Sequence, residues 1–87
     1  MKTTSKIIKM LQKRFGELED FIRCDLQCQM DYEEKHQSKL AKLTESFVTE
    51  HQAEQREIIR VYAFIKELDF IDGCRELYNH YKEKGSK

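Results

Sequence analysis

The sequence predicts an all-α protein, and three observations carry that prediction. The chain of 87 residues has no proline and only three glycines, so little in it interrupts a continuous helix. Apolar residues recur at spacings of three and four, which keeps them on one helical face. Charged residues make up 37% and apolar residues 39%, a balance typical of long solvated helices. We therefore expect one domain, a long antiparallel helical hairpin followed by a short third helix.

The first helix is predicted over about residues 5–32. Thr4 or Ser5 can cap it, because a hydroxyl at that position accepts a hydrogen bond from an amide of the first turn. Gly16 falls inside the segment, but the apolar stripe keeps its phase across it, which favours one long helix. The stripe consists of Ile8, Leu11, Phe15, Leu18, Ile22, Leu26 and Met30.

The second helix is predicted over about residues 39–68, after a polar turn at about 33–38 that holds no apolar anchor. Its stripe consists of Leu40, Leu43, Phe47, Ile58, Val61, Ile65 and Leu68. When the two helices are folded antiparallel about the turn, the stripes align: Phe15 falls near Ile58, and Met30 falls near Leu43. This agreement between two independent patterns is the main reason to expect a hairpin.

The third helix is predicted over about residues 70–84, with Asp69 or Asp72 as its cap. Its apolar face consists of Phe70, Cys74, Leu77, Tyr78 and Tyr81. The sequence does not fix where this helix docks.

Both hairpin helices carry apolar residues away from the stripes, and these form the predicted partner-binding surface. They are Phe21, Cys24, Cys28 and Tyr32 on the first helix, and Ile59 and Phe64 on the second. Exposed apolar faces of this kind usually bind another helix or another chain. We expect the third helix to cover one of them and a partner to cover the other. The simplest partner is a second copy, which would form a homodimeric helical bundle.

Residues 49–57, TEHQAEQRE, interrupt the second stripe with polar side chains. His51 and Glu54 continue the stripe there, opposite Asp25 and Gln29 of the first helix. This polar core layer has three interpretations. It is a loose, hydrated waist, a hydrogen-bonded layer that sets register or oligomeric state, or a metal site.

The metal interpretation is the weakest of the three. Glu-x-x-His pairs hold metals in helical bundles, because that spacing directs an oxygen and a nitrogen at one point. Glu33-x-x-His36 has this order, but it lies in the predicted turn and no second such motif exists. We expect no metal and no cofactor.

Charge is distributed unevenly along the first helix, although the formal net charge is zero. The predicted basic end consists of Lys2, Lys6, Lys9, Lys13 and Arg14, with no acid among residues 1–14. Residues 17–34 then hold seven acids and one arginine. Cations at a helix N-terminus oppose its dipole, so helix stability does not explain them. The basic end is a candidate surface for an acidic protein or for phosphates.

No residue pattern predicts catalysis. Cys24-x-x-x-Cys28 lacks the second pair that a structural zinc site requires, and there is no glycine-rich phosphate loop. Three cysteines cannot all pair within one chain, so reduced thiols and a cytoplasmic location are expected. Neither a signal peptide nor a membrane-spanning segment is expected.

These features favour a non-enzymatic, protein-binding helical module that acts as an adaptor, an inhibitor, or an assembly or regulatory factor. The alternative is a nucleic-acid-binding regulator that uses the basic end, and a metal-binding bundle is a distant third. We expect no membrane contact, because the second helix already uses the apolar stripe of the first.

Overall fold

The computed structural model describes residues 2–85, with side chains described for residues 4–83. That range holds three helices and no strand: α1 spans Lys2–Glu34, α2 spans Ser38–Lys66 and α3 spans Phe70–Gly85. The all-α prediction is confirmed. α1 passes through Gly16 without a break, as the continuous stripe predicted. It extends further than expected at both ends, whereas α2 ends two residues earlier than expected.

The turn between α1 and α2 is a three-residue connection around a left-handed residue. His36 has φ 58, its amide donates to the carbonyl of Glu33 at 3.1 Å, and the Gln37 amide donates to the carbonyl of Tyr32 at 2.8 Å. Together these two bonds form a Schellman motif, which satisfies the last carbonyls of α1. Glycine is the usual residue at such a position, so His36 carries a conformational cost there.

The turn between α2 and α3 likewise contains a left-handed residue at the helix C-terminus. Glu67 has φ 57, and the Leu68 amide donates to the carbonyl of Ala63 at 2.8 Å. Asp69 then caps α3, because its carboxylate accepts from the amide of Asp72 at 2.7 Å. Of the two predicted cap residues, Asp69 therefore performs that role.

The hairpin has the predicted antiparallel alignment. Phe15 and Ile58, which were predicted to face each other, lie in one buried cluster. Asp25 meets His51 further along, with 3.3 Å between the carboxylate and the imidazole. We call residues 2–22 and 53–66 with α3 the base half, and residues 23–52 the tip half.

The core lies in the base half, where all three helices meet. Its buried cluster consists of Phe15, Leu18, Ile58, Ile59, Tyr62 and Leu77. Phe15 and Leu18 are 0% exposed and Leu77 is 1% exposed. The Tyr78 ring meets the Phe15 ring edge to face, with 4.9 Å between centroids.

α3 docks along one side of the hairpin, in the groove between α1 and α2. Gly73 allows close approach to α2, since a Cβ there would stand 2.9 Å from the Cβ of Ala63. On α1 the Tyr81 ring lies over Gly16, and its hydroxyl donates to Asp20 at 2.6 Å. α3 thus runs parallel to α1 and covers the base half, reaching no further along α1 than Arg23.

The buried face of α2 differs from the predicted stripe by about one residue. Its buried residues are Ala41, Thr44, Val48, Gln55, Ile58, Ile59, Tyr62 and Ala63. The predicted stripe residues Leu40, Leu43, Phe47 and Val61 are 43–53% exposed, so their assignment to the seam is wrong. α2 packs against both α1 and α3. Its buried face is therefore centred closer to residues 59 and 62 than the predicted stripe is. In the tip half, the small Ala41 and Thr44 also suit a close approach of the two helices.

Two stripe residues of α1 are exposed as well. Leu26 is 43% exposed and Met30 is 63% exposed. α3 contacts α1 as far as Arg23, whose guanidinium lies over the Tyr81 ring at 5.3 Å. From Arg23 towards the tip, no third helix within residues 2–85 covers the groove between α1 and α2.

Candidate protein-interaction face

α3 occupies one of the two faces of the hairpin and leaves the other uncovered. It packs against Ala63 on α2 and against Gly16 on α1. Residues roughly half a turn further around each helix lie on the opposite side. There Arg14 Nε donates to Glu54 Oε2 at 2.7 Å and joins the two helices. We call this side the open face.

The open face carries a long row of exposed apolar side chains. They are Ile7, Met10 and Phe21 of α1 and Leu40, Leu43, Phe47 and Val61 of α2. Each is between 40% and 66% exposed. Single exposed apolar residues are ordinary, but seven on one side of two adjacent helices are typical of a binding surface.

The four predicted partner-binding residues of α1 lie on or beside the open face. Phe21 is 49% exposed, and its ring stacks on His51 with 5.6 Å between centroids. Cys24 is exposed, while Cys28 and Tyr32 are half-buried. Partial desolvation, and then the neighbouring Cys24, raise the pKa of the Cys28 thiol. A thiol held protonated in this way is a poor nucleophile.

The two predicted partner-binding residues of α2 do not belong to this face. Ile59 is 5% exposed because it lies in the core beneath α3, so its assignment to an exposed surface is wrong. Phe64 is 84% exposed, but it lies at the corner between α2 and α3. A shallow depression there is lined by Arg60, Ala63, Phe64, Leu68 and Phe70.

The four residues of the predicted polar core layer do not form one layer. Glu54 is at the surface, where its hydrogen bond from Arg14 lowers the pKa of its carboxyl. Asp25 and His51 come together at 3.3 Å without the alignment of a hydrogen bond. Gln29 donates to Glu33 within α1 at 3.3 Å. The polar interruption lies in the predicted segment of α2, but the buried polar residue there is not one of the four that were predicted.

The buried polar residue of that segment is Gln55. Its amide nitrogen donates to Glu19 Oε1 at 3.1 Å and to the carbonyl of Phe15 at 3.4 Å. Tyr78 donates to the same Glu19 oxygen at 3.2 Å, and Arg23 donates to the other at 3.0 Å. This network joins all three helices, but it contains none of the four residues predicted for the polar core layer.

Sequence reasoning missed the network because its members sit one position from the predicted stripes. Gln55 follows Glu54, and Glu19 follows Leu18. The available signal was the alternative α2 stripe through Gln55, Ile58 and Tyr62, which has equally good helical spacing.

The side chains that could ligate a metal are scattered. Among the described residues, no three His, Cys, Asp or Glu side chains converge as ligands would. Glu33 and His36 are both exposed near the tip turn, and Asp25 and His51 meet only as a pair.

The basic end is exposed along the outer side of α1. None of the ion pairs among the described side chains involves Lys6, Lys9 or Lys13. Arg14, by contrast, pairs with Glu54 and lies 3.9 Å from Glu17. The Lys2 side chain lies outside those described.

Comparisons of the chain with protein-family models, with curated proteins and with solved structures found no match in any of the three. None of the helices within residues 2–85 carries an apolar stretch of the length that a bilayer crossing requires.

Proposed function

We propose that the chain is a non-enzymatic protein-interaction module that binds its partner through the open face. The observation that carries the proposal is the row of seven large, exposed apolar side chains on that face. In the base half, the same two helices bury their other side under α3. α3 thus covers one face of the hairpin, and the open face is exposed.

The shape of the open face indicates the kind of partner it fits. Two antiparallel helices form a long groove, and an amphipathic helix with apolar residues at spacings of three and four can lie in such a groove. Phe21 and Phe47 offer aromatic anchors, which contribute most to binding when a partner desolvates them. The partner is therefore a helical protein surface, and the role is that of an adaptor, an inhibitor or an assembly factor. The cysteines are free, which supports a reducing, cytoplasmic setting.

The experiment compares three forms of the purified, tagged chain. Proteins bound to the native chain are identified, and each interaction is rebuilt from purified components. The variant Phe21→Asp/Leu43→Asp places charge on the open face, while Phe64→Asp places charge at the corner outside it. Both leave the core untouched, so circular dichroism should remain helical.

We expect the open-face variant to weaken binding at least about tenfold, because desolvating a carboxylate in an apolar contact is unfavourable. Phe64→Asp should bind like the native chain. Equal affinity for all three forms would contradict the proposal.

Nucleic-acid binding is the second candidate, and the exposed lysines of the basic end favour it. Replacing Lys6, Lys9 and Lys13 by Glu should then abolish binding of duplex DNA and of single-stranded RNA. Binding by the native chain should fall steeply with salt, because phosphate contacts release counterions. If the native chain forms no complex with nucleic acid at low salt, a protein is the one remaining candidate partner.

A further inference from the structure

The connection between α2 and α3 is short and holds neither proline nor glycine. It consists of Glu67, Leu68 and Asp69. Glu67 is left-handed, with φ 57, which is unfavourable for a residue that carries a Cβ. If Glu67 turns helical, no residue of the connection prevents α2 and α3 from forming one straight helix.

The surfaces with which α2 and α3 contact each other lie on one face of such a straight helix. Ala63 meets Gly73 in the contact between the two helices, and Ile59 and Leu77 belong to the same buried cluster. At about 100° per residue, these four positions fall within a sector of roughly 80°. One residue more or fewer in the connection would rotate the α3 surface by about 100° and separate the two. The connection thus has a length that keeps both surfaces in phase.

From this phase match we propose that two copies of the chain exchange α3. In the exchanged dimer, α2 and α3 of each copy form one straight helix, and α3 docks in the groove between α1 and α2 of the second copy. A two-fold axis relates the two straight helices near residue 68, midway between Ala63 and Gly73. The inference goes beyond the proposed function, because the open face lies on the other side of the hairpin and is uncovered in both forms.

The contacts that hold α3 in the exchanged dimer are those of the monomer, but they join two chains. Gly73 again meets Ala63, and Leu77 again enters the core. The Tyr62 hydroxyl, which donates to Glu76 at 2.8 Å in the monomer, donates to Glu76 of the second copy. The groove and the helix that fills it are the pair that the structure shows, so their complementarity is already established.

The two forms differ only around the connection. Straightening removes the left-handed conformation of Glu67, but it also removes the cap that Asp69 forms and the packing of Leu68 against the core. In return, Phe70 falls in the same sector of the straight helix as Ala63. The two Phe70 side chains, each 43% exposed in the monomer, then lie within about one helical turn of each other at the axis. This apolar contact exists only in the dimer and favours it.

The exchange depends on concentration, because it competes with docking within one chain. A short tether holds α3 at an effective concentration in the millimolar range. The native chain should therefore be monomeric at micromolar concentration and form dimers when it is refolded from urea at about millimolar concentration. Sedimentation measures the two species. A native chain that contains no dimer after refolding at millimolar concentration would overturn the exchange.

The first variants change the connection at a single position. Glu67→Gly favours the left-handed corner, whereas Glu67→Ala favours the straight helix. The dissociation constant of the dimer should be at least about a hundredfold lower for Glu67→Ala than for Glu67→Gly, since the effect counts twice in each dimer. Equal dissociation constants of the two variants would contradict a straight connection.

The next pair of variants tests the register at the two-fold axis, in chains that also carry Glu67→Ala. Phe70→Glu places two like charges beside each other at the axis and should raise the dissociation constant at least about tenfold. Ile71→Glu is the matched control, because residue 71 lies about 100° away from residue 70 and is already 67% exposed. It should dimerise normally. Equal weakening by both variants would show that the register is wrong.

Cross-linking shows directly which chain supplies α3. Lys66 Nζ lies 3.9 Å from Glu76 Oε1 across the contact between α2 and α3, and a carbodiimide can join such an amine to a carboxylate. An unlabelled chain and a chain that carries heavy nitrogen are refolded together, and the dimer fraction is cross-linked and analysed by mass spectrometry. We expect Lys66–Glu76 links that combine the two isotopes, and Lys66→Arg, which lacks the reactive amine, should remove them. A dimer in which every such link lies within one chain would overturn the exchange.

Discussion

The base half and the tip half of the hairpin are built from the same two helices, but they differ in what fills the space between them. In the base half, Phe15, Leu18 and Leu77 are almost completely buried where three helices meet. In the tip half, the buried residues of α2 are the small Ala41, Thr44 and Val48, while larger apolar side chains are exposed. A two-helix hairpin cannot cover both of its faces. Folding free energy is therefore concentrated in the base half, and the tip half depends more on a partner.

The largest expected effect compares equal deletions in the two halves. Leu77→Ala should lower the free energy of unfolding by about 2–5 kcal/mol, since it removes a fully buried side chain. Leu43→Ala, at 53% exposure, should change monomer stability by less than about 0.5 kcal/mol. Urea denaturation at low protein concentration measures both. Similar losses of unfolding free energy in the two variants would contradict the difference between the base half and the tip half.

Alkaline pH should act on the base half through its tyrosines. Burial, and then the hydrogen bond with Glu76, raise the pKa of Tyr62 to about 12 from 10.0. The folded state therefore holds this proton where the unfolded state releases it. The stabilisation is complete below pH 10 and is lost as pH rises to about 12, an effect of roughly 2–3 kcal/mol.

Following tyrosinate absorbance and helicity together in an alkaline titration tests this expectation. In the native chain, ionisation of Tyr62 and loss of helix should coincide. Tyr62→Phe should remove part of the pH dependence, and an unchanged alkaline midpoint would contradict the assignment.

The two internal glycines of the base half should respond in opposite ways to alanine. Gly73→Ala places a Cβ 2.9 Å from that of Ala63, so α3 has to move, at a cost of about 1–3 kcal/mol. Gly16→Ala meets only the Tyr81 ring, at 3.5 Å, and should gain up to about 1 kcal/mol from helix propensity. Thermal unfolding measures the stability of the two variants relative to the native chain. If both substitutions stabilised the protein, the close docking of α3 would be contradicted.

The smallest effect concerns the two turns. His36 and Glu67 are both left-handed at a helix C-terminus, where glycine has no steric penalty. His36→Gly and Glu67→Gly should each stabilise the chain by up to about 1 kcal/mol in chemical denaturation. Because the base half carries the core, Glu67→Gly should delay global unfolding, while His36→Gly should mainly reduce fraying at the tip. Destabilisation by either would contradict the turn geometry.

The sequence predicted the helices and their alignment because these depend on local spacing and on the position of the polar turn. It did not predict which face of α2 is buried. The stripes through Leu40, Leu43 and Phe47 and through Ala41, Thr44 and Val48 have the same helical period, and the choice depends on where α3 docks. For the same reason, Ile59 was placed on the surface and Gln55 was overlooked. Phe21 is 49% exposed, with His51 of α2 against one side of its ring, and its role in partner binding stays a prediction.

Hydrogen exchange of the native chain, alone and with a bound partner, tests the central claim most directly. In the chain alone at low concentration, amides around Phe15 and Ile58 in the base half should be protected, while those around Met30 and Leu43 in the tip half should exchange much faster. With a bound partner, protection should rise in the tip half and along the open face. Equal protection of both halves that does not change with a partner would contradict the account.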